Sequence, residues 1–352
     1  MIAIISNKNS GVPCSKPEDI KFGTQFSDHM FVMDYTPSNG WHDARIIPYG
    51  PLSIEPSAMV FHYGQEMFEG LKAYATVQGV ALFRPEENIK RFNRSCDRMC
   101  MPKVDVDFVV GAIKKLVEID KKWVPSWKDT SLYIRPFIIA TDSAIGLRPS
   151  DTFKFIVICT PARPFYSDGL KPVRIYVEEE YVRAVKGGLG FTKAGANYAA
   201  SMRAQEIAHD RGFEQVLWLD GIEHKYIEEV GSMNVFFVIG KEIITPELSG
   251  SILAGITRMS VIELMRKRGY EVVERKISIE ELVEFYNSGL LKEAFGTGTA
   301  AVISPMGVLR YKDCDMVLNN GETGETTRAV YDGLVGIQSG GLEDEFGWMT
   351  FV

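Results

Sequence analysis

Two hairpin signatures in the second half of the chain set the first limit on its fold. Apolar runs at residues 215–219 and 226–230 are separated by Asp220-Gly221, and runs at 234–239 and 242–245 by Gly240-Lys241. Tight glycine turns between β-prone runs join antiparallel strands. Parallel neighbours need long crossovers instead, so an all-parallel sheet is excluded. Helical periods recur between the strands. Residues 197–210 stop before Gly212, and residues 257–268 end on basic side chains before Gly269. Residues 278–287 open on a capping box formed by Ser278 and Glu281, and residues 327–337 form the last helix. The expectation is a mixed α/β (α+β) fold.

The first half alternates in the same way. Residues 31–35, 57–63 and 80–83 read as strands, 85–99 as a helix with a basic face, and 108–123 as an amphipathic helix. Residues 132–139 and 153–159 are strong β-runs. A stretch punctuated by proline, glycine and serine follows at 160–169. The expected organisation is a smaller N-terminal α/β domain over 1–160, a linker over 161–171, and a larger C-terminal α/β domain over 172–352 that carries Lys193. That second domain opens with a strand at 173–177 and includes strands at 300–303 and 308–311.

Composition narrows the function classes. The chain is 45% hydrophobic and 24% charged, with a net charge of −7 and no dense basic run. Nucleic acid and anionic membranes are poor partners for such a surface. No apolar stretch reaches the ~18 residues that span a bilayer. The apolar start, Met1 to Ile5, is too short for a signal peptide and lacks a transit pattern, so a cytoplasmic location is expected. The cysteines, at 14, 96, 100, 159 and 314, are odd in number and scattered, which argues against a disulfide framework. Cys96 and Cys100 have no second ligand pair, so helix packing is a better reading than a metal site.

The chemistry begins at Phe191-Thr-Lys193-Ala-Gly-Ala-Asn-Tyr198, where a lysine stands in a glycine-rich turn. A lysine at a buried turn is costly unless it is neutral or paired. A neutral lysine is a nucleophile that can hold an aldehyde cofactor, which makes pyridoxal phosphate the leading candidate; a solvated loop lysine is the plain alternative. That cofactor also needs an anion site and, for its ring nitrogen, a carboxylate partner. Glu228 and Glu229 are equally good carboxylates by composition. Ala254-Gly255-Ile256-Thr257-Arg258 opens a helix after a glycine, and its first amides and the Thr257 hydroxyl suit a phosphate; an ordinary helix start is the plain reading.

Gly296-Thr-Gly-Thr299-Ala300-Ala301 matches a dinucleotide pattern, but the extended Val302-Ile303-Ser-Pro305 follows where a helix is required. A turn offering Thr299 and the Ala300 amide to an anion fits better, beside a purely structural turn. Arg91, Arg94 and Arg98 share one helix face, either solvated or with one arginine reaching a phosphate. Tyr133 and Arg135 share one side of a strand, and an arginine on so apolar a strand needs a carboxylate partner. Tyr63, Phe68 and Tyr133 either wall an apolar pocket or belong to the core.

Taken in order, these motifs resemble the branched-chain amino acid aminotransferases, which are fold-type IV pyridoxal phosphate enzymes. The likeness runs from about Phe22 to the C-terminus. It is strongest in residues 61–72, 131–136, 193–198, 215–219, 229–234, 255–258 and 295–300. The long form, with Phe22-Gly-Thr-Gln-Phe-Ser-Asp-His-Met30, looks like the branch that includes the animal enzymes. The resemblance implies a two-domain architecture and transamination between L-leucine, L-isoleucine or L-valine and 2-oxoglutarate. It also implies pyridoxal 5'-phosphate as cofactor and a homodimer.

By that resemblance Lys193 is the Schiff-base lysine and proton shuttle, and Glu229 rather than Glu228 pairs with the pyridine nitrogen. Tyr198 meets the ring hydroxyl oxygen. Arg91, Ile256, Thr257 and Ser232 hold the phosphate, with Thr299 beside it. Thr299 and Ala300 bind the substrate α-carboxylate. Phe22, Tyr63, Phe68, Tyr133 and Tyr198 line the side-chain pocket, Arg135 and the tyrosines meet the distal carboxylate of glutamate, and Leu147 lies on a loop that crosses to the other protomer. Two departures stand out. Ala301 and Ser304 replace a Cys-x-x-Cys pair of the animal enzymes, so thiol redox control there is not expected. The linker aromatic that reaches the pocket aligns to Phe165 or to Tyr166. A D-amino acid aminotransferase or an aminodeoxychorismate lyase would use the same lysine and glutamate; the Tyr-x-Arg strand and the Gly-Thr-Ala turn favour the branched-chain reading.

Overall fold

The computed structural model describes residues 2–7, 10–163 and 170–352. These form two units, each with its own sheet and core. The first takes the N-terminal part of the chain with Thr192–Gly195 and Ile337–Val352; the second takes the segment ending at Phe191 and Ala196–Gly336.

The strands of the first unit are β1 (Ala3–Ile4), β2 (His29–Thr36), β3 (Gly40–Pro48), β4 (Glu66–Phe68), β5 (Leu71–Thr76), β6 (Gly79–Phe83), β7 (Ser131–Ala140) and β8 (Phe153–Ala162). Among the described residues their order is β1, β3, β2, β8, β7, β5, β6 and then the C-terminal strand Met349–Phe351, with β4 also on β7. The helices are α1 (Met59–Tyr63), α2 (Pro85–Arg98) and α3 (Val106–Ile119). Helix α2 starts on Pro85 with Glu86 and Glu87 in its first turn, which suits the positive end of the helix dipole. Its buried Ile89, Phe92 and Cys96 recur at helical spacing, and they join a core with Phe31, Leu116, Ile134 and Phe155. Helix α3 is capped by Asp105, whose carboxylate accepts the Phe108 N–H at 2.7 Å.

The strand pairing breaks where the chemistry sits. β4 pairs with residues 137–139 of β7, and β5 with residues 132–134. Between them Glu69 donates its N–H to the Pro136 carbonyl at 2.7 Å. Gly70 packs so closely on the Tyr133 hydroxyl that a Cβ there would overlap it.

The second unit holds β9 (Val173–Val177), β10 (Gln215–Leu219), β11 (Ile227–Val230), β12 (Met233–Ile239), β13 (Glu242–Thr245), β14 (Glu271–Glu274), β15 (Leu291–Gly298), β16 (Val302–Tyr311) and β17 (Cys314–Val317). Among the described residues the order is β11, β10, β9, β16, β15, β12, β13, β14, with β17 on β16. Both expected hairpins are present as antiparallel pairs, β10 with β11 and β12 with β13. Parallel pairs join β9 to β10 and to β16, so the sheet is mixed. The helices are α4 (Gly195–Asp210), whose first residue goes with the first unit, α5 (Ile256–Lys267), α6 (Ile279–Asn287) and α7 (Glu325–Gln338). Ser278 caps α6 by accepting the Glu281 N–H, as its spacing predicts.

Four expectations change. Residues 57–63 are not a strand: Gly64 takes φ 57° and bonds to the Val60 carbonyl, closing the short helix α1. An apolar run this short carries no period to separate the two states. The helix expected over 108–123 spans Val106–Ile119 and closes at Asp120, whose N–H bonds to the Leu116 carbonyl, and Lys121–Trp123 form a separate, tighter turn. The strands expected at 300–303 and 308–311 are one strand, β16, which passes through Pro305 next to a register shift at Met306 and Val308. The turn carrying Lys193 and residues 337–352 belong to the first unit, not to a C-terminal domain over 172–352. Backbone bonds tie Lys193 to Phe68, and Met349–Phe351 extends the first sheet at β6. Most of the expected linker, including Phe165 and Tyr166, lies outside the described residues.

Gly70→Ala should lose ~1–3 kcal/mol in chemical denaturation from overpacking against Tyr133, and Tyr133→Phe in the same chain should recover part of it. Unchanged stability of Gly70→Ala would contradict the close approach.

Candidate active site

In the first unit Lys193 is held by its backbone. Its N–H donates to Ser95 Oγ of α2 at 3.2 Å, and its carbonyl accepts the Phe68 N–H of β4 at 3.0 Å. Two residues on, the Gly195 N–H donates to Glu66 Oε1 at 2.6 Å. The lysine side chain is half-buried, with Nζ 5.1 Å from the centre of the Phe68 ring.

The same unit gathers the expected pocket residues. Strand alternation puts Tyr133 and Arg135 on one side of β7, and Arg135 Nη2 donates to the Tyr133 hydroxyl at 3.2 Å. The guanidinium lies 4.4 Å from the Phe68 ring centre, and its buried Nε has no hydrogen-bond partner among the described residues. Phe22 meets Tyr133 edge-on at 5.0 Å. Lys193, Phe68, Tyr133, Arg135 and Phe22 therefore form one linked cluster. Tyr63, at the exposed end of α1, donates its hydroxyl to the Ile145 carbonyl, on the same loop as the exposed Leu147. Arg91 is buried and differs from its solvent-facing neighbours Arg94 and Arg98. Its Nε and Nη2 donate to the two oxygens of Glu69 at 2.7 and 2.8 Å, a fork that cancels charge at a fully buried position.

In the second unit the two adjacent glutamates of β11 have different surroundings. Glu229 is buried; its Oε1 accepts the Leu253 N–H at 2.7 Å, and Arg183 Nε lies 3.4 Å from its Oε2. Glu228 accepts the Ser251 hydroxyl and lines a cavity of about 100 Å³ with Tyr226, Lys276 and Ser249. Burial pushes the Glu228 carboxyl up to about 7, against the opposing pull of Ser251 and Arg183. The Ser251–Leu253 segment thus separates the pair: both feel the Arg183 charge, but Glu229 accepts the Leu253 amide and Glu228 the Ser251 hydroxyl.

The segment continues into α5. Asn234 Nδ2 donates to the Leu253 carbonyl at 2.9 Å, and Gly255 lies so near Asn234 Oδ1 that a Cβ would overlap it. Gly255 caps α5 without a side-chain bond, and Ile256 and Thr257 follow, both buried. The first amides of such a helix and the Thr257 hydroxyl are the donors an anion needs. Thr299 and Ala300 are half-buried in the turn between β15 and β16, just before Val302 at φ 59°. Ser232 is exposed in the turn after Glu229, and Tyr198 is half-buried on α4. Thr297, opposite Asn234 in the β12–β15 ladder, keeps a buried hydroxyl with no hydrogen-bond partner among the described residues. A buried carboxylate beside an amide and a guanidinium, a helix start with a threonine, and a spare hydroxyl fit the ring nitrogen and phosphate of pyridoxal phosphate.

A family profile for amino-transferase class IV matches residues 66–307. The chain belongs to the class IV aminotransferases. A Bacillus subtilis protein named branched-chain-amino-acid aminotransferase 2 is 57% identical over 97% of this chain and 94% of its own. Two solved structures are similar at lower identity. The branched-chain amino acid aminotransferase from Escherichia coli has a TM-score of 0.75 and 26% identity, covering 92% of this chain and 98% of that one. A branched-chain amino acid aminotransferase from Thermobaculum terrenum, in its PLP-form, has a TM-score of 0.75 and 26% identity, covering 91% and 97%. The mixed two-sheet fold of this class IV member is the fold-type IV architecture that the motifs imply.

Sequence reasoning did not single out Glu66, Glu69, Ser95, Arg183 or Asn234. Each meets its partner across a long stretch of chain, so no local spacing marks it. Glu66 and Glu69 do lie inside the motif at residues 61–72, and Asn234 inside that at 229–234, which are the signals that pointed toward them.

A carboxyl raised in the folded state binds a proton that the unfolded chain has already released, so its contribution is fully present below the ordinary carboxyl range and is lost as pH rises toward 7. Glu228→Gln should therefore match the parent protein in thermal stability at low pH and exceed it increasingly as pH rises through neutrality. A difference that does not change with pH would contradict the raised carboxyl.

Proposed function

We infer that the chain transfers the amino group of L-leucine, L-isoleucine or L-valine to 2-oxoglutarate, with pyridoxal 5'-phosphate as cofactor. The observation that carries this reading is the first-unit cluster of Lys193, Phe68, Tyr133 and Arg135, in a chain 57% identical to a protein named for that activity. Bound pyridoxal phosphate supplies an electron-poor ring that takes up the negative charge left at a deprotonated amino-acid Cα.

The chain's residues divide the remaining work. Lys193 Nζ holds the cofactor and moves the proton at the substrate Cα. Glu229, with Arg183 and the Leu253 amide at its carboxyl group, would pair with the ring nitrogen, and Tyr198 with the ring hydroxyl oxygen. Arg91, Ser232, Ile256, Thr257 and Thr299 hold the phosphate, Arg91 with Glu69 fixing its guanidinium. Thr299 and Ala300 bind the α-carboxylate. Phe22, Tyr63, Phe68, Tyr133 and Tyr198 exclude water from apolar branches. The Nε of Arg135, without a hydrogen-bond partner among the described residues, gives the same pocket a donor for the distal carboxylate of glutamate.

We also read the protein as a cytoplasmic homodimer. The net charge of −7 supports a soluble setting, and no helix of the described residues is long and apolar enough to cross a membrane. Leu147 and Ile145 are exposed apolar side chains on one loop, as an element reaching a second protomer would be.

Lys193→Ala should abolish glutamate formation from L-leucine and 2-oxoglutarate; appreciable residual transamination would sink the assignment. Arg135→Ala should slow the glutamate half-reaction more than the leucine one, by ~10-fold or more for a charged hydrogen bond. Equal losses would refute its selective role. A protein that binds the cofactor but turns over only D-leucine would be a D-amino acid aminotransferase instead.

A further inference from the structure

We propose that Glu66 is a positioning residue for Lys193, its carboxylate fixing the turn that presents the lysine. The proposal rests on the reading of Lys193 given above. Glu66 touches no reacting atom in it and acts through the Gly195 amide.

The geometry is specific. The Gly195 N–H reaches Glu66 Oε1 at 2.6 Å, short for an amide and in the range of a charge-assisted bond. A Cβ at Gly195 would overlap the same oxygen, so a larger residue there would push the Glu66 carboxylate out of this contact. Together with the bonds at Lys193 N–H and Lys193 C=O, this contact brackets a fully buried Ala194. Side-chain rotation at Lys193 is then the main freedom left to the turn.

Glu66 and Phe68 are alternate residues of β4. One supplies a side-chain acceptor at Gly195 and the other a backbone donor at Lys193. β4 is itself locked to β7 by the pairs Glu66–Ile139, Met67–Ile138 and Phe68–Phe137. The turn is therefore carried by a sheet rather than by a loop, and rigid elements hold catalytic groups more closely than loops do. Burial pushes the Glu66 carboxyl up, and the Gly195 N–H and the charge of Arg135 oppose that rise.

The test uses the full chain with bound pyridoxal phosphate and two readouts: amide hydrogen exchange in a peptide covering residues 192–196, and kcat and KM with L-leucine. Glu66→Ala should speed that exchange by ~10-fold or more. It should lower kcat by ~10–100-fold with KM little changed. Glu66→Gln keeps an acceptor oxygen and should retain most of both properties. Gly195→Ala should also loosen the peptide, and adding Glu66→Ala to it should cause no further loss, because the two changes break one contact. Parent-like exchange and kcat in Glu66→Ala would overturn the proposal, as would Glu66→Gln losing as much kcat as Glu66→Ala with exchange unchanged. If Glu66→Ala does not fold, parent-like exchange in Gly195→Ala overturns it equally. The exchange readout does not depend on the substrate, so a parent protein inert to L-leucine would defeat the proposed function and leave the clamp to be judged by exchange.

Discussion

The first unit's chemistry depends on one backbone hydrogen bond, from the Phe68 N–H to the Lys193 carbonyl. It fastens a glycine-rich turn to a strand, and that strand is fastened to the central β7. A lysine in a free loop would lose chain entropy each time it met its target. Here that ordering is complete when the sheet forms. The same short strand continues through Glu69 and Gly70, where the break in pairing places a carboxylate against Arg91 and leaves room for the Tyr133 hydroxyl. Lysine, arginine fork and aromatic wall all follow from how residues 66–70 cross β7.

Each unit buries charge, and the partners decide its state. Isolated buried ions are very costly, whereas a bidentate or doubly bonded ion is tolerated. Glu69 has the Arg91 fork, and Glu229 has an amide and a guanidinium. Glu228, one residue from Glu229, has a hydroxyl and a cavity, and is driven toward its neutral form. Two neighbouring carboxyls of one strand thereby have different surroundings, which supports the reading of Glu229 rather than Glu228 as the partner of the ring nitrogen. That is the separation composition alone could not make.

Local patterns were the legible part of the fold. The turns at Asp220-Gly221 and Gly240-Lys241 and the Ser278 cap are set by residues a few positions apart, and all three are found. The stretch 59–63 was misread because five apolar and aromatic residues suit either state, and the deciding feature is a left-handed Gly64. Pro305 falls between the strands expected at 300–303 and 308–311, yet one strand passes through it beside a register shift. Of the candidate site, the lysine, the Tyr-x-Arg strand and the helix start at Gly255 stand out as unusual residues in unusual places. Glu66, Arg183 and Ser95 do not, since their roles exist only after distant segments pair. The membership of the Lys193 turn in the first unit was hidden for the same reason.

The account's central claim is that Lys193 is the residue that holds pyridoxal phosphate. Reduction of the loaded protein with borohydride, followed by proteolysis and mass analysis, reads this directly. The account predicts one phosphopyridoxyl-bearing peptide, modified at Lys193. The group on another lysine, such as the buried Lys72 of β5, or on none, would contradict it.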